Sequence, residues 1–225
     1  MTEIAFRSDF DVQLIEVMGN DHRVVQAAKV STLGADSLAA DDSAGLVRYL
    51  MTNRHGSPFE HCVMQWMISA PIFVWREFMR HRIASYNEES SRYRQLRPVF
   101  YIPPATRPSE QVGKPGAYTL TSNADHHDLL ESASTWILVK AYDTYEELLG
   151  AGVAREVARQ ILPVSIYSTA YVTMNLRGLM NFLSLRTAPS ALWEIRQVAN
   201  AMNRDFAARF PVVAAAFDQA GRVAP

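Results

Sequence analysis

The 225-residue chain has little of several things, and each scarcity excludes something. Cys62 is its single cysteine, so no disulfide framework can form within the chain, which suits a reducing, cytoplasmic setting. Charge, Pro or Gly interrupts every apolar run short of the ~18 residues a membrane span needs, so no membrane role is expected. The first ten residues have no basic start followed by an apolar block, so no secretory signal is expected. Charge of one sign is missing too. The 22 basic and 23 acidic residues leave a net charge of −1, and there is no basic helical stripe. That argues against a nucleic-acid module, despite Tyr86, Tyr93 and Tyr101 lying among arginines. No HExxH or cysteine cluster accompanies His55 and His61, so no metal site is expected. There is no P-loop. The run Gly150-Ala151-Gly152-Val153-Ala154-Arg155 follows a helical pattern and has Arg in sixth place, so it is a helix stop and not a dinucleotide fingerprint. Lysine is scarce as well. Only Lys29, Lys114 and Lys140 occur, and the other 19 of the 22 basic residues are arginines. Arginine's planar fork suits phosphate and carboxylate, although GC-rich coding would give the same bias.

What is present is a core-forming composition, 48% hydrophobic, enough for one domain and short for two. Periodicity predicts strands over 12–18, 62–70 and 164–175. In the last, Val164, Ile166, Ala170, Val172 and Met174 share a buried face. Helices are expected over 22–30, 43–52, 72–81, 123–149, 153–162, 177–185 and 191–210. The long one turns Leu129, Leu130, Ala133, Trp136, Ile137, Ala141, Tyr145 and Leu148 inward. The last turns Leu192, Ile195, Val198, Met202 and Phe206 inward. Ser57-Pro58-Phe59-Glu60 has the form of a capping box, with Ser57 as N-cap. Residues 98–116, with five prolines and two glycines, read as a loop. The class is α+β, a single domain over 1–225.

The most informative stretch is 80–93, RHRIASYNEESSRY. It holds three arginines, a histidine, two glutamates, an asparagine and three serines, and it cannot be a core strand. Arg80 and Arg82 flank His81 at the end of an apolar helix, so three donor groups fan out from one short arc, an arrangement suited to a diphosphate. A solvated helix end with surface ion pairs has the same composition.

Spacing adds to this. Arg80-His81-Arg82, seven residues and then Ser90 match the RHR-x7-S signature of flavin-dependent thymidylate synthases. Residues 55–61 (HGSPFEH), 154–163 (AREVARQILP) and 175–186 (NLRGLMNFLSLR) resemble further blocks of that family, and roughly 12–210 can be read against it in order. The resemblance implies a small central β-sheet packed by helices, FAD as cofactor, and a homotetramer with its sites between subunits. The activity it implies is reductive methylation of dUMP to dTMP, with methylenetetrahydrofolate as carbon donor and NADPH as reductant. It places Ser31, His55, Ser57, Glu60, Arg80, His81, Arg82, Ile83, Asn175, Arg177 and Asn181 at the flavin. It places Glu77, Glu88, Ser90, Ser91, Arg92, Arg159 and Arg186 at dUMP, with Ser90 and Arg186 nearest the chemistry. Arg177 and Asn181, four apart on a helix, share a face independently of the family. Arg159 as a helix cap and Glu60 as only a capping residue remain alternatives. Relatives often carry His-Ala-Gln where this chain has Ser190-Ala191-Leu192, so a flavin-side histidine contact is lost or replaced. Glu89 and Ser91 stand where an aliphatic residue and a glycine are common. Cys62 lies among apolar residues, an environment that makes a thiol inert, so attack on the pyrimidine by cysteine is not expected.

Overall fold

The computed structural model describes residues 3–114 and 116–225. Among them the strands are β1 (Ala5–Arg7), β2 (Asp11–Met18), β3 (Val63–Pro71), β4 (Ser85–Glu88), β5 (Val99–Tyr101), β6 (Glu110–Lys114), β7 (Ala117–Thr121) and β8 (Tyr167–Asn175). The α-helices are α1 (Asp21–Leu33), α2 (Ala44–Thr52), α3 (Ile72–Phe78), α4 (Ala124–Gly150), α5 (Arg155–Ala158), α6 (Leu176–Arg186), α7 (Trp193–Arg209) and α8 (Pro211–Gln219). This is an α+β fold. The chain forms two compact units and passes between them several times.

The larger unit comprises Phe10–Ser69, Arg76–Glu88 and Thr169–Pro225. Its sheet has the order β2-β3-β8-β4. β2 runs antiparallel to β3 from Asp11↔Ser69 to Met18↔Val63, with a bulge between Leu14 and Glu16. β4 runs antiparallel to β8 from Ser85↔Thr173 to Glu88↔Ala170. Alternation sends Met64, Trp66 and Ile68 of β3, and Ala170, Val172 and Met174 of β8, to buried positions. Val164, expected on that face, lies before the strand and is exposed. α7 packs on β2 and contributes Ile195, Val198, Met202 and Phe206 to the core, as its spacing predicts. The Trp66 indole donates to the Asp205 carboxylate on that helix at 2.9 Å. This satisfies a donor whose burial unpaired would cost ~1–3 kcal/mol. Short polar residues start the helices. Asn20, Ser43 and Asn175 accept backbone N–H bonds at the N-termini of α1, α2 and α6, each a cap of ~1 kcal/mol.

The smaller unit comprises residues 3–9, Ala70–Trp75 and Glu89–Ser168. Its core gathers Leu96, Phe100, Ile102, Leu138, Tyr142, Tyr145, Ala158 and Ile166. β1 pairs in parallel with β5, and β6 with β7 as a hairpin.

Four expectations need correction. The stretch 98–116, expected as a loop, contributes two strands, because Val99–Tyr101 finds a partner in β1 and Glu110–Lys114 one in β7. The helix expected to reach 81 ends at Phe78. There the His81 N–H turns back to the Phe78 carbonyl at 2.9 Å, and the Tyr86 hydroxyl reaches the carbonyls of Phe78 (3.0 Å) and His81 (2.9 Å). The helix expected over 153–162 is one short α-turn followed by a 3-10 turn. The apolar face assigned to the first half of α4 is wrong for this chain alone. Leu129, Leu130, Trp136 and Ile137 are exposed, and the face that packs is Leu138, Tyr142 and Tyr145.

Candidate functional site

In the larger unit the site residues are organised by α6. Asn175 ends β8 and caps the helix by accepting from the Gly178 N–H at 2.8 Å. Gly178, Phe182 and Arg186 follow at four-residue spacing and form one stripe. The segment 77–83 lies along that stripe. A Cβ on Gly178 would sit 2.7 Å from the Ile83 carbonyl oxygen, so the absence of a side chain lets the loop approach. The Phe182 ring stacks on Phe78 at 4.6 Å and meets the His81 ring edge-on at 4.9 Å. Arg186 Nε donates to His81 Nε2 at 2.9 Å, its second nitrogen pairs with the Glu77 carboxylate, and its third reaches the Glu77 carbonyl at 3.2 Å.

This contact defines the state of His81. Arginine has no acceptor, so Nε2 must be the accepting nitrogen and Nδ1 carries the proton. Burial, helped by the Arg186 cation and opposed by Glu77, lowers the His81 pKa from 6.5 to about 4. At neutral pH the imidazole is an uncharged donor, clamped on one side and available on the other.

About a third of a turn around α6, Arg177 and Asn181 share another face. The Asn181 amide donates to the Arg177 carbonyl at 3.2 Å. The Arg177 guanidinium donates to Glu60 at 2.7 Å and to the main-chain oxygen of Pro225 at 2.8 Å. Glu60 belongs to a 3-10 turn, Ser57–His61, whose N-cap is Gly56; Ser57 makes no capping bond, so the expected capping box is not formed. Glu60 is therefore an ion-pair partner. His55 is exposed and packs edge-on against Tyr49 at 5.7 Å. α1 packs on the same 3-10 turn. Its Ser31 is exposed and donates only to the Ala28 carbonyl among the described residues. Arg80 and Arg82 are exposed, with no ion pair among the described residues. Glu88 closes β4.

In the smaller unit a tight turn collects the other candidates. The N–H groups of Tyr93 and Arg94 both return to the Ser90 carbonyl at 3.1 Å, and the Arg92 N–H donates to Ser90 Oγ at 3.3 Å. The Arg159 guanidinium donates to Ser91 Oγ at 2.9 Å, while its backbone N–H closes the end of α5 on the Arg155 carbonyl. Arg92 Nε donates to Glu156 at 2.8 Å. Sequence reasoning missed Glu156. Its partner Arg92 lies 64 residues earlier in the chain, so no local spacing signals it. It also missed Gly56, Gly178 and Tyr86, which shape the site without offering a reactive group.

Cys62 is fully buried; its thiol faces the Asn20 carbonyl at 3.6 Å, and burial raises its pKa to about 11. It is not a thiolate at neutral pH. Fold and site together define an α+β protein that presents guanidinium, imidazole and carboxylate groups and buries its one thiol.

The comparisons agree. The family model described as "Thymidylate synthase complementing protein" matches residues 13–212. The flavin-dependent thymidylate synthase of Streptomyces coelicolor is 48% identical over 237 aligned positions, covering 99% of this chain and 96% of the relative. That of Tropheryma whipplei (strain TW08/27) is 50% identical over 233, covering 98% and 97%. A solved UMP/dUMP methylase, PolB from Streptomyces cacaoi bound with 5-Br dUMP, superimposes with a TM-score of 0.93 at 46% identity, covering 99% of this chain and 100% of that one. This chain belongs to the flavin-dependent thymidylate synthase family.

Proposed function

We infer that the chain methylates dUMP to dTMP with methylenetetrahydrofolate as carbon donor, FAD as cofactor and NADPH as reductant. Family membership over nearly the whole chain carries this reading. The residues present fit FAD. Exposed Arg80 and Arg82, the Arg177–Glu60 pair and the neutral Nδ1–H of His81 form a donor set suited to a diphosphate and a polar ring edge. Arg80, Arg82 and Arg177 would hold the phosphates, with Ser31, His55, Ser57, Glu60, Ile83, Asn175 and Asn181 around them. When bound and reduced, FAD supplies a hydride.

Arg92 and Arg159, with Ser91 and Glu88, would bind the nucleotide. Arg186, aimed by Glu77, would meet charge developing on a uracil carbonyl. No base hydrogen-bonds to Ser90 Oγ among the described residues, so Ser90 acts as a positioning group and not as a nucleophile. The homotetramer belongs to this reading. Arg177 and Arg186 leave α6 half a turn apart, which suits a site that takes the two clusters from different copies. The family model spans both compact units, which supports treating 1–225 as one functional domain. A cytoplasmic setting belongs to the same reading. No helix among the described residues is long and apolar enough to cross a membrane.

Arg92→Ala tests the division of the site. A lost charge-assisted hydrogen bond of ~1.5–3 kcal/mol should weaken dUMP binding about tenfold or more in calorimetry, while flavin absorbance of the purified protein stays at the parent's level. Equal loss of both ligands would contradict the assignment.

A further inference from the structure

The carboxy-terminal segment touches the flavin cluster through one contact that the motif reading did not anticipate. Pro225 is buried, and its main-chain oxygen accepts the Arg177 Nε–H at 2.8 Å. The path to that contact is fixed. α8 ends at Gln219, and Gly221 and Arg222 both take left-handed conformations, φ +66° and +58°. For arginine that backbone is strained, and it persists only where surroundings impose it. Here they do. The Arg222 N–H bonds the Phe217 carbonyl at 2.9 Å, its guanidinium lies 4.8 Å from the Phe217 ring centroid, and it bonds Asp218 and, at 2.9 Å, Asn203. The tail is thus anchored on α7 and α8 and directed at Arg177.

The other side of Arg177 is shaped to match. A Cβ on Gly56 would collide with Arg177 Nε, Cζ and Cδ, so glycine opens the channel the side chain occupies. Glu60 takes one nitrogen of the fork and Pro225 another. Two of the five N–H donors are engaged and the rest stay available on a side chain that is 42% exposed. A flexible arginine is converted into a fixed one before any ligand arrives, which cuts the ordering cost of binding.

We propose that residues 222–225 form a strap that positions Arg177 for the flavin cofactor, making Pro225 a positioning residue through its main-chain oxygen. The proposal rests on the reading that Arg177 contacts FAD. The test is a double-mutant cycle on FAD affinity, measured by fluorescence of flavin released on dilution of the loaded protein. The variants are deletion of residues 223–225, Arg177→Ala, and both together. The deletion should weaken FAD about tenfold, Arg177→Ala at least as much, and the combination no further than Arg177→Ala alone. Pro225→Gly, which keeps the main-chain oxygen but loosens the segment, should shift affinity the same way by less and serves if the deletion is unstable. Unchanged or tighter FAD binding on deletion overturns the strap. So does a combination in which the two losses multiply, the mark of general destabilisation. Unchanged affinity in Arg177→Ala alone would instead remove the flavin role of Arg177, and the strap with it.

Discussion

His81 shows how a single residue is set by its neighbours. Its ring accepts from Arg186 and is held at a pKa of about 4 against an ordinary 6.5, mainly by burial. In the unfolded chain the ring takes a proton below pH 6.5 that the folded ring refuses until about 4, so within that window the unfolded state binds more protons. The contribution of His81 to stability is full above 6.5 and is lost as pH falls to about 4. For a half-buried ring the loss is on the order of 1–2 kcal/mol after screening. Urea unfolding between pH 7 and 4 should show this decline in the parent, and His81→Gln should lack that part of it. Identical slopes in the two proteins would show that the ring is not held neutral.

At the scale of elements, α6 decides where the chemistry-bearing groups sit. Gly178 lies inside it, and an alanine at an open helix position would gain ~1 kcal/mol in propensity. Here the added carbon meets the Ile83 carbonyl at 2.7 Å and Asn175 Oδ1 at 3.2 Å. A backbone atom cannot swing aside, so an overpacking cost of ~1–3 kcal/mol outweighs the gain. Gly178→Ala should lower the urea midpoint without changing the m-value, and should weaken FAD retention with it. A midpoint equal to the parent's or higher would show that the 80–83 loop does not depend on this approach. Much of the element map was legible because α6, α7, β3 and β8 each bury one face of a regular period. The shortened α3 was not, because the signal ending it is the Tyr86 hydroxyl reaching two carbonyls from a later strand. β5 was not, because three residues beside Pro98 become a strand only when β1 is there to pair.

For the whole molecule, the exposed half of α4 is the largest departure from sequence expectation, and the helix itself was read correctly. The pattern at Leu129, Leu130, Trp136 and Ile137 is that of a buried face, yet Trp136 is 72% and Leu129 66% exposed in the single chain. Such a cluster suits an interaction surface, and the homotetramer proposed above would cover it. Trp136→Glu should shift the sedimenting species to lower mass while leaving far-UV circular dichroism intact, and turnover should fall with the mass. A tetramer that persists in that variant would assign the interface elsewhere. The contacts of the candidate residues were legible to the same limit. Their residue types and spacing were in the sequence, and their distant partners were not. Glu156 and Pro225 were hidden because their importance lies in which arginine they hold, and tertiary contact alone decides that.

The central claim is reductive methylation of dUMP without a thiol nucleophile. Its most direct test is anaerobic turnover of the FAD-loaded protein and of Cys62→Ala with NADPH, methylenetetrahydrofolate and dUMP, following flavin absorbance and dTMP together. Both proteins should bleach with NADPH and form dTMP at comparable rates, since the buried thiol has a pKa of about 11 and takes no part. A folded Cys62→Ala protein that bleaches but makes no dTMP would contradict the account, as would a parent protein that makes dTMP with no flavin bound.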